Sequence, residues 1–236
     1  MRRWCLLFLA SSVLCDAGCG RESYAKRLDA TLERMKRERR IEKNLMPAPS
    51  GDKRFTELSI YLRPPREEAA TGKTGQLPVG EGQFDLDASF ADPKADSKLH
   101  VLARVKHPKK PAAKGAPPPP PPAARGEFVR DVLAVLASEF GANEKFETPK
   151  FDSENKRGVQ YKRLVAIANE KEVKLYTYKQ DNYDVALIFV YDPKLRGTLT
   201  NRIDLCLETF AVGPKAGRIY NNGNLDDDDA GPVVPM

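Results

Sequence analysis

The chain has 236 residues, which allows one or two domains, and its 19 prolines are too many for a single compact fold. Several stretches are therefore expected to lie outside a packed core. The formal net charge of +6 favours an anionic membrane surface or a cell-wall polymer as partner. Nucleic acid is not expected, because the basic residues are not interleaved with aromatic side chains that could stack on bases.

The N-terminus has the layout of an export signal. Arg2 and Arg3 precede an apolar run over residues 4–14, and a run of about 7 to 15 residues behind basic residues is typical of a signal peptide. The run is too short to span a bilayer, since a spanning helix needs about 20 apolar residues. We therefore predict a signal peptide over residues 1–18, with the remainder of the chain outside the cytoplasm.

The sequence Asp16-Ala17-Gly18-Cys19 resembles the lipobox of bacterial lipoproteins, although Asp16 stands where that motif normally has an aliphatic residue. The resemblance implies a lipid on Cys19 and attachment to the extracytoplasmic side of a bacterial membrane. Two alternatives stay open: ordinary cleavage after Ala17, and retention of the segment. With a lipid on Cys19, Cys206 is expected to be a buried, unpaired thiol. Without the lipid, the two cysteines could form a disulfide in an oxidising compartment.

Residues 19–50 are predicted to form the lipid anchor and a basic spacer helix, with the helix running from Ser23 to Leu45. Ser23 can cap the helix, and apolar residues recur three or four positions apart along one face. The same helix carries a dense basic block, formed by Arg34, Lys36, Arg37, Arg39 and Arg40. One interpretation is contact with anionic headgroups, at roughly 1 kcal/mol for each basic residue near the surface. The alternative is a solvated spacer that holds the following domain away from the bilayer.

Apolar and polar residues alternate in three segments that are predicted to be strands: 55–63, 84–90 and 99–105. The second segment places Asp85, Asp87 and Ser89 on its wet side, and no metal site is expected there. Residues 106–125 surround six consecutive prolines, 117–122, which favour a stiff polyproline loop on the surface. We predict that this loop interrupts one domain, because three strands cannot cover their own apolar face.

The second half of the chain gives the clearest pattern. Residues 127–140 carry a wide apolar helical stripe, and a second helix is predicted over about 198–210. Between them lie three strands joined by short polar turns, which predicts an antiparallel meander. The strand segments are 159–168, 172–179 and 183–191.

These elements predict an α+β domain over residues 55–213, with a single, mostly antiparallel sheet of about six strands and two packed helices. The N-terminal basic helix precedes this domain. Residues 214–236 are predicted to be a disordered acidic tail, because they include four consecutive aspartates, 226–229, and no apolar period.

The segments Leu58–Pro65, Ala186–Tyr191 and Ile203–Phe210 resemble the Mog1/PsbP-like α/β/α sandwich, which also occurs in bacterial envelope lipoproteins. The likeness extends over about residues 55–212. It implies a non-enzymatic module that assists the assembly or binding of another component, and it provides no catalytic residues to carry over.

Catalytic signatures are sparse. The chain has two histidines, His100 and His107, so a Ser-His-Asp device would need His100, which the pattern assigns to the surface. Cys206 lacks zinc-site spacing, and no metal or cofactor is expected. We therefore predict a non-catalytic binding, scaffolding or assembly module, with an unidentified envelope protein or polymer as partner. The alternative is an envelope-directed enzyme, such as a hydrolase that uses paired carboxylates.

Overall fold

The computed structural model describes residues 5–49, 51–66, 68–70, 76–92, 94, 96–106 and 126–222, with side chains from residue 24 onward except at 69, 70 and 222. The chain divides into two compact units, Met1–Lys43 and Asn44–Met236. The first unit is built on helix α1, which spans Cys5–Asn44. Our predicted start at Ser23 is therefore wrong, because the helix begins before that residue. The described part of the chain contains no helix that is both long enough and apolar enough to cross a membrane.

The second unit is organised around a seven-stranded sheet in which all neighbouring strands are antiparallel, in the order β2-β3-β4-β8-β7-β6-β5. Six of the strands are long and β2 has two residues, so the predicted α+β class with one antiparallel sheet of about six strands is confirmed. The middle strand of the seven is β8, and its pairing with β4 places strands from both sides of residues 107–125 in one sheet. The strand bounds are β2 Ala69–Ala70, β3 Leu86–Asp92, β4 Ser97–Val105, β5 Asp152–Lys156, β6 Val159–Ala168, β7 Lys171–Gln180 and β8 Tyr183–Tyr191.

Helix α3 (Phe128–Phe140) packs on one face of this sheet. Its apolar stripe is buried by side chains that alternate along β6, β7 and β8, because every second residue of a strand points to the same face. Leu136 and Leu175 are fully buried in this core. The predicted helix over 127–140 differs by one residue from α3.

The opposite face of the sheet is more aromatic. Helix α5 (Arg196–Thr209) follows a short 3₁₀ turn at Pro193–Leu195. Tyr161 donates a hydrogen bond of 2.9 Å from its hydroxyl to the carbonyl oxygen of Leu207 in α5, and its ring lies 6.1 Å from that of Phe210. Cys206 on the same helix is a free, buried cysteine among the described residues. Helices thus lie on both faces of the sheet.

The first predicted strand, 55–63, is wrong in most of its length. Lys53–Glu57 form a short helix, α2, whose first turn is capped by the Asp52 side chain. Ser59 then turns the chain with a φ of 52°. Only Ile60–Tyr61 form a strand, β1, and it pairs with β9 (Ala211–Val212) in a separate two-stranded sheet. The alternation of Leu58, Ile60 and Leu62 did not reveal this local turn.

The predicted boundary at residue 213 is also wrong. Gly213–Asn222 form a further helix, α6, where we predicted the start of a disordered tail. Tyr220 anchors it, because its hydroxyl donates a hydrogen bond of 2.9 Å to the Ile60 carbonyl oxygen and its ring packs edge-on against Tyr61. Residues 223–236, which include the four aspartates, lie outside the described residues.

The segment between α3 and β6 contains short regular elements. It contains a one-turn helix, α4 (Glu144–Glu147), and the edge strand β5. Phe146 is buried in the core beneath α3 and Phe151 packs against that core, so both side chains anchor this segment. The predicted polyproline stretch, 117–122, lies outside the described residues.

Candidate functional site

The clearest surface feature of the first unit is an exposed apolar row on α1, which we call the α1 stripe. Its members recur three or four positions apart and are therefore aligned along one side of the helix. They are exposed to between 43% and 67%, which is unusual for a set of large apolar side chains that line up. The α1 stripe consists of Tyr24, Leu28, Leu32 and Met35.

The five basic residues that the sequence singled out do not share one face of α1. Lys36 and Arg39 lie four positions after Leu32 and Met35, so they extend the α1 stripe. A helix turns by roughly 100° per residue, which places Arg37 on the opposite side and Arg40 next to Lys36, between the two sides. The fifth residue, Arg34, lies between these two sides and contacts Glu38 at 3.9 Å. Lys36 contacts Glu33 at 2.7 Å.

Cys19, the predicted lipid-attachment residue, lies in helix α1. Its side chain lies outside the part that the structure describes, so lipid attachment stays a prediction. The same holds for the predicted cleavage that would remove residues 1–18.

The second unit contains a cavity of about 580 Å³ where the sheet extends beyond the first turn of α3. We call it the cationic cavity, because Lys106, Lys162 and Lys179 line it. Two carboxylates, Glu127 and Asp184, line it as well. Asp184 on β8 is the cross-strand neighbour of Lys179 on one side and of Arg104 on the other.

Arg104 fixes the start of α3 at the edge of this cavity. Its guanidinium donates hydrogen bonds of 2.9 Å to the carbonyl oxygens of Gln83 and Gly126, and it pairs with Asp131 in the first turn of the helix. The same group lies 5.1 Å from the ring centroid of Phe84, within the range of a cation–π contact. Since its donors are engaged within the protein, Arg104 has a structural role, and the three lysines provide the accessible positive charge.

A second cavity of about 590 Å³ runs along α3 and shares four lining residues with the first: Glu127, Val129, Lys162 and Thr177. We call it the apolar cavity. Its remaining lining is mostly hydrocarbon, provided by α3 on one side and by the segment around α4 on the other, and it includes two charged residues, Arg130 and Glu147. The apolar members are Leu133, Ala134, Ala137, Phe146, Pro149 and Phe151.

Glu68 is a buried carboxyl group, exposed to 3%. Ser97 donates a hydrogen bond of 2.9 Å to its Oε1, and its Oε2 has no hydrogen-bond partner among the described residues. Burial raises the pKa of Glu68 to about 8, with a further contribution from the nearby Asp92. Neither carboxyl lines the two cavities beside α3, so we assign Glu68 to the interior rather than to a catalytic pair.

His100 is not the surface residue that we predicted, because it is exposed to 2%. Its Nδ1 lies 2.7 Å from the hydroxyl oxygen of Ser89 on the neighbouring strand, and burial lowers its pKa to about 4. Ser89, predicted on a wet face, is itself buried, and the cavity of about 290 Å³ that it borders has no histidine in its lining. The pair therefore does not face a common substrate cavity.

Within the described ranges, no three His, Cys, Asp or Glu side chains lie together in an arrangement that could hold a metal ion. Asp85 instead accepts a hydrogen bond of 2.9 Å from the Val105 amide, so it supports the pairing of β3 with β4.

Comparison with known proteins identifies no family. No protein-family model and no curated protein matches the chain. Among solved structures, the chain is similar to the solution structure of cyanobacterial PsbP (CyanoP) from Synechocystis sp. PCC 6803. The match covers 67% of this chain and 89% of that chain, with a TM-score of 0.39 and 12% identity. Both values are too low to carry an argument about function.

Sequence reasoning missed the two cavities. Lys162 and Lys179 are separated by 16 residues along the chain, and they come together only because β6 and β7 form a hairpin whose register pairs Lys162 with Thr177. The alternation of residues along the two strands could have indicated that both lysines lie on one face of the sheet, because they continue the face that carries Leu164 and Leu175.

Proposed function

We propose that this protein is an extracytoplasmic lipoprotein, anchored through Cys19, that acts as a non-catalytic binding or scaffolding module at a bacterial membrane. The observation that carries the proposal is the α1 stripe. Apolar side chains aligned on an exposed helix, with Lys36 and Arg39 beside them, match a helix that lies on an anionic lipid surface. We further infer that the following domain belongs with the Mog1/PsbP-like sandwiches, in keeping with a sheet that carries helices on both faces.

In this arrangement α1 contributes more than a passive spacer. Apolar residues enter the interface between headgroups and acyl chains, while basic side chains extend towards the phosphates. A helix face of this kind would add a second contact to the lipid anchor, because buried apolar area and attraction to anionic lipids both contribute to membrane affinity.

Lipid attachment is tested by expressing the full chain in a bacterial host with radiolabelled palmitate. We expect the label on the parent and on Cys206→Ser, and loss of the label from Cys19→Ser. A full-length, unlabelled product recovered with cytoplasmic enzymes would overturn the anchor.

The role of α1 is tested separately by flotation of the chain that begins at residue 19, with Cys19→Ser, with phosphatidylglycerol vesicles and with phosphatidylcholine vesicles. We expect flotation with the anionic vesicles only. Leu28→Ser/Leu32→Ser should abolish it, and Arg39→Glu should weaken it more than Arg37→Glu, a charge reversal on the opposite side of the helix. Equal effects of the two arginine variants would contradict the proposed orientation.

The alternative enzyme, a hydrolase with paired carboxylates, stays a prediction from the sequence. The structure adds the observation that Glu127 and Asp184 line one cavity, but that cavity carries three lysines as well, which suits binding of an anion better than acid–base catalysis by two carboxylates.

A further inference from the structure

The two cavities beside α3 adjoin each other, and we treat them together as one groove with chemically different ends. They share Lys162, Thr177, Glu127 and Val129, so these residues mark the junction. Each cavity, at about 580 and 590 Å³, falls within the roughly 300 to 1,000 Å³ that is typical of small-molecule sites. The groove is therefore large enough for a ligand that extends from one end to the other.

The positive end favours an anion. Three lysines outnumber the two carboxylates, and Asp184 has Arg104 and Lys179 as its cross-strand neighbours. The N-terminus of α3 also contributes to the lining, and its N-cap residue, Glu127, makes no capping hydrogen bond with its side chain. The positive end of the helix dipole therefore adds to the charge of the lysines.

The other end favours hydrocarbon. Leu133 and Phe146 are buried at its base, and Ala134 and Ala137 provide small side chains that leave room along the helix. A purely polar anion would leave this half of the groove unused. A neutral hydrocarbon would leave the lysines without a counter-charge.

We propose that this groove binds a single-chain amphiphile with an anionic head, such as a fatty acid or a monoacyl phosphate. The head lies among Lys106, Lys162 and Lys179, and the acyl chain follows α3 over Ala134 and Ala137. This site is distinct from the α1 stripe and does not depend on the proposed membrane anchor.

The test is fluorescence titration of the full-length Cys19→Ser chain with dansylaminoundecanoic acid, without vesicles. We expect saturable binding and blue-shifted emission. Lys162→Glu/Lys179→Glu should weaken binding at least tenfold, since both side chains are exposed and reversal of their charge leaves the core intact. Ala134→Trp, at an exposed position of α3, should block the groove and give a similar loss.

Controls separate this site from the rest of the protein. Lys53→Glu, which lies outside both cavities, and Leu28→Ser/Leu32→Ser, in the α1 stripe, should each keep binding within twofold. Competition by lauric acid and by lysophosphatidic acid identifies the head group, and displacement by either supports the proposal. Absence of saturable binding to the parent would overturn the proposal. So would lysine and tryptophan variants that bind the probe as tightly as the parent while their circular dichroism spectra match that of the parent.

Discussion

The two units of this chain use apolar residues in opposite ways. In the sheet-bearing unit, large apolar side chains such as Leu136 and Leu175 are completely buried between α3 and the strands. In α1, Leu28 and Leu32 are exposed to 46% and 44% although they line up along one side of the helix. A periodic apolar pattern therefore predicts which side chains share one face of a helix. It does not predict whether that face is buried, because burial requires a second surface that packs against it.

The largest expected effect follows directly from this contrast. Leu136→Ala should lower the free energy of unfolding of the sheet-bearing unit by about 2 to 5 kcal/mol, because it removes buried contacts and leaves a cavity. Leu32→Ala, the same substitution on α1, should change that free energy by less than about 0.5 kcal/mol. Urea denaturation followed by tyrosine fluorescence measures both. Similar losses in the two variants would show that the α1 stripe is covered by protein.

Most of the second unit could be predicted from the sequence because its elements have strong, regular periods. The strands at 159–168 and 183–191 agree with β6 and β8 at both ends. Leu133 and Leu136 in α3 follow the helical spacing of a buried face. In each case local alternation and tertiary burial have the same period, so the pattern is enough to locate the element.

The failures occur where long-range contacts decide the structure. Tyr220 is held by the carbonyl oxygen of Ile60, 160 residues earlier in the chain, and no local pattern in 213–222 indicates that bond. His100 looked exposed because it lies on the less apolar side of its predicted strand, which also carries Arg104, yet its hydrogen bond to Ser89 lets it be buried. The groove beside α3 depends on the strand register, which fixes which lysines meet.

Glu68 provides the next largest effect, because it is a charge-bearing group inside the unit that otherwise buries apolar residues. Burial raises its pKa from an ordinary 4.5 to about 8, so the folded state retains a proton that the unfolded state loses. Its contribution to stability is therefore present below pH 4.5 and is lost as the pH rises through 8. His100 acts in the reverse direction: its contribution is present above pH 6.5 and is lost as the pH falls through about 4.

Measurements above pH 6.5 therefore isolate the carboxyl group. Between pH 6.5 and 8 the parent should lose about 2 kcal/mol more than Glu68→Gln, at roughly 1.4 kcal/mol per pH unit. Gln can still accept the hydrogen bond from Ser97. The exposed Glu57→Gln serves as control and should follow the parent. The assignment of Glu68 fails if its Gln variant shows the same dependence on pH as the parent.

A pair of glycines tests how tightly the start of α3 is held. A methyl group added at Gly126 would lie 2.8 Å from Oδ1 of Asp131, which Arg104 holds in place. Gly126→Ala should therefore cost about 1 to 2 kcal/mol. Gly197 in α5 has open space around the same position, so Gly197→Ala should be neutral or stabilise by up to about 1 kcal/mol. Thermal unfolding distinguishes them, and a loss at Gly197 equal to that at Gly126 would contradict the packing described.

The smallest expected effect concerns the ion pairs on α1. Arg34 and Glu38 are 3.9 Å apart, and their side chains are exposed to 48% and 49%. A pair of this kind stabilises a helix by only about 0.3 to 0.5 kcal/mol, because water and salt screen it. The coupling energy is obtained from Arg34→Ala, Glu38→Ala and the double variant, with the stability of α1 measured by amide hydrogen exchange. It should vanish at 1 M salt, where the Debye length is about 3 Å. A coupling above about 1 kcal/mol that survives salt would mean that this side of α1 is shielded from solvent. The contrast between an exposed α1 and a buried sheet core would then be wrong.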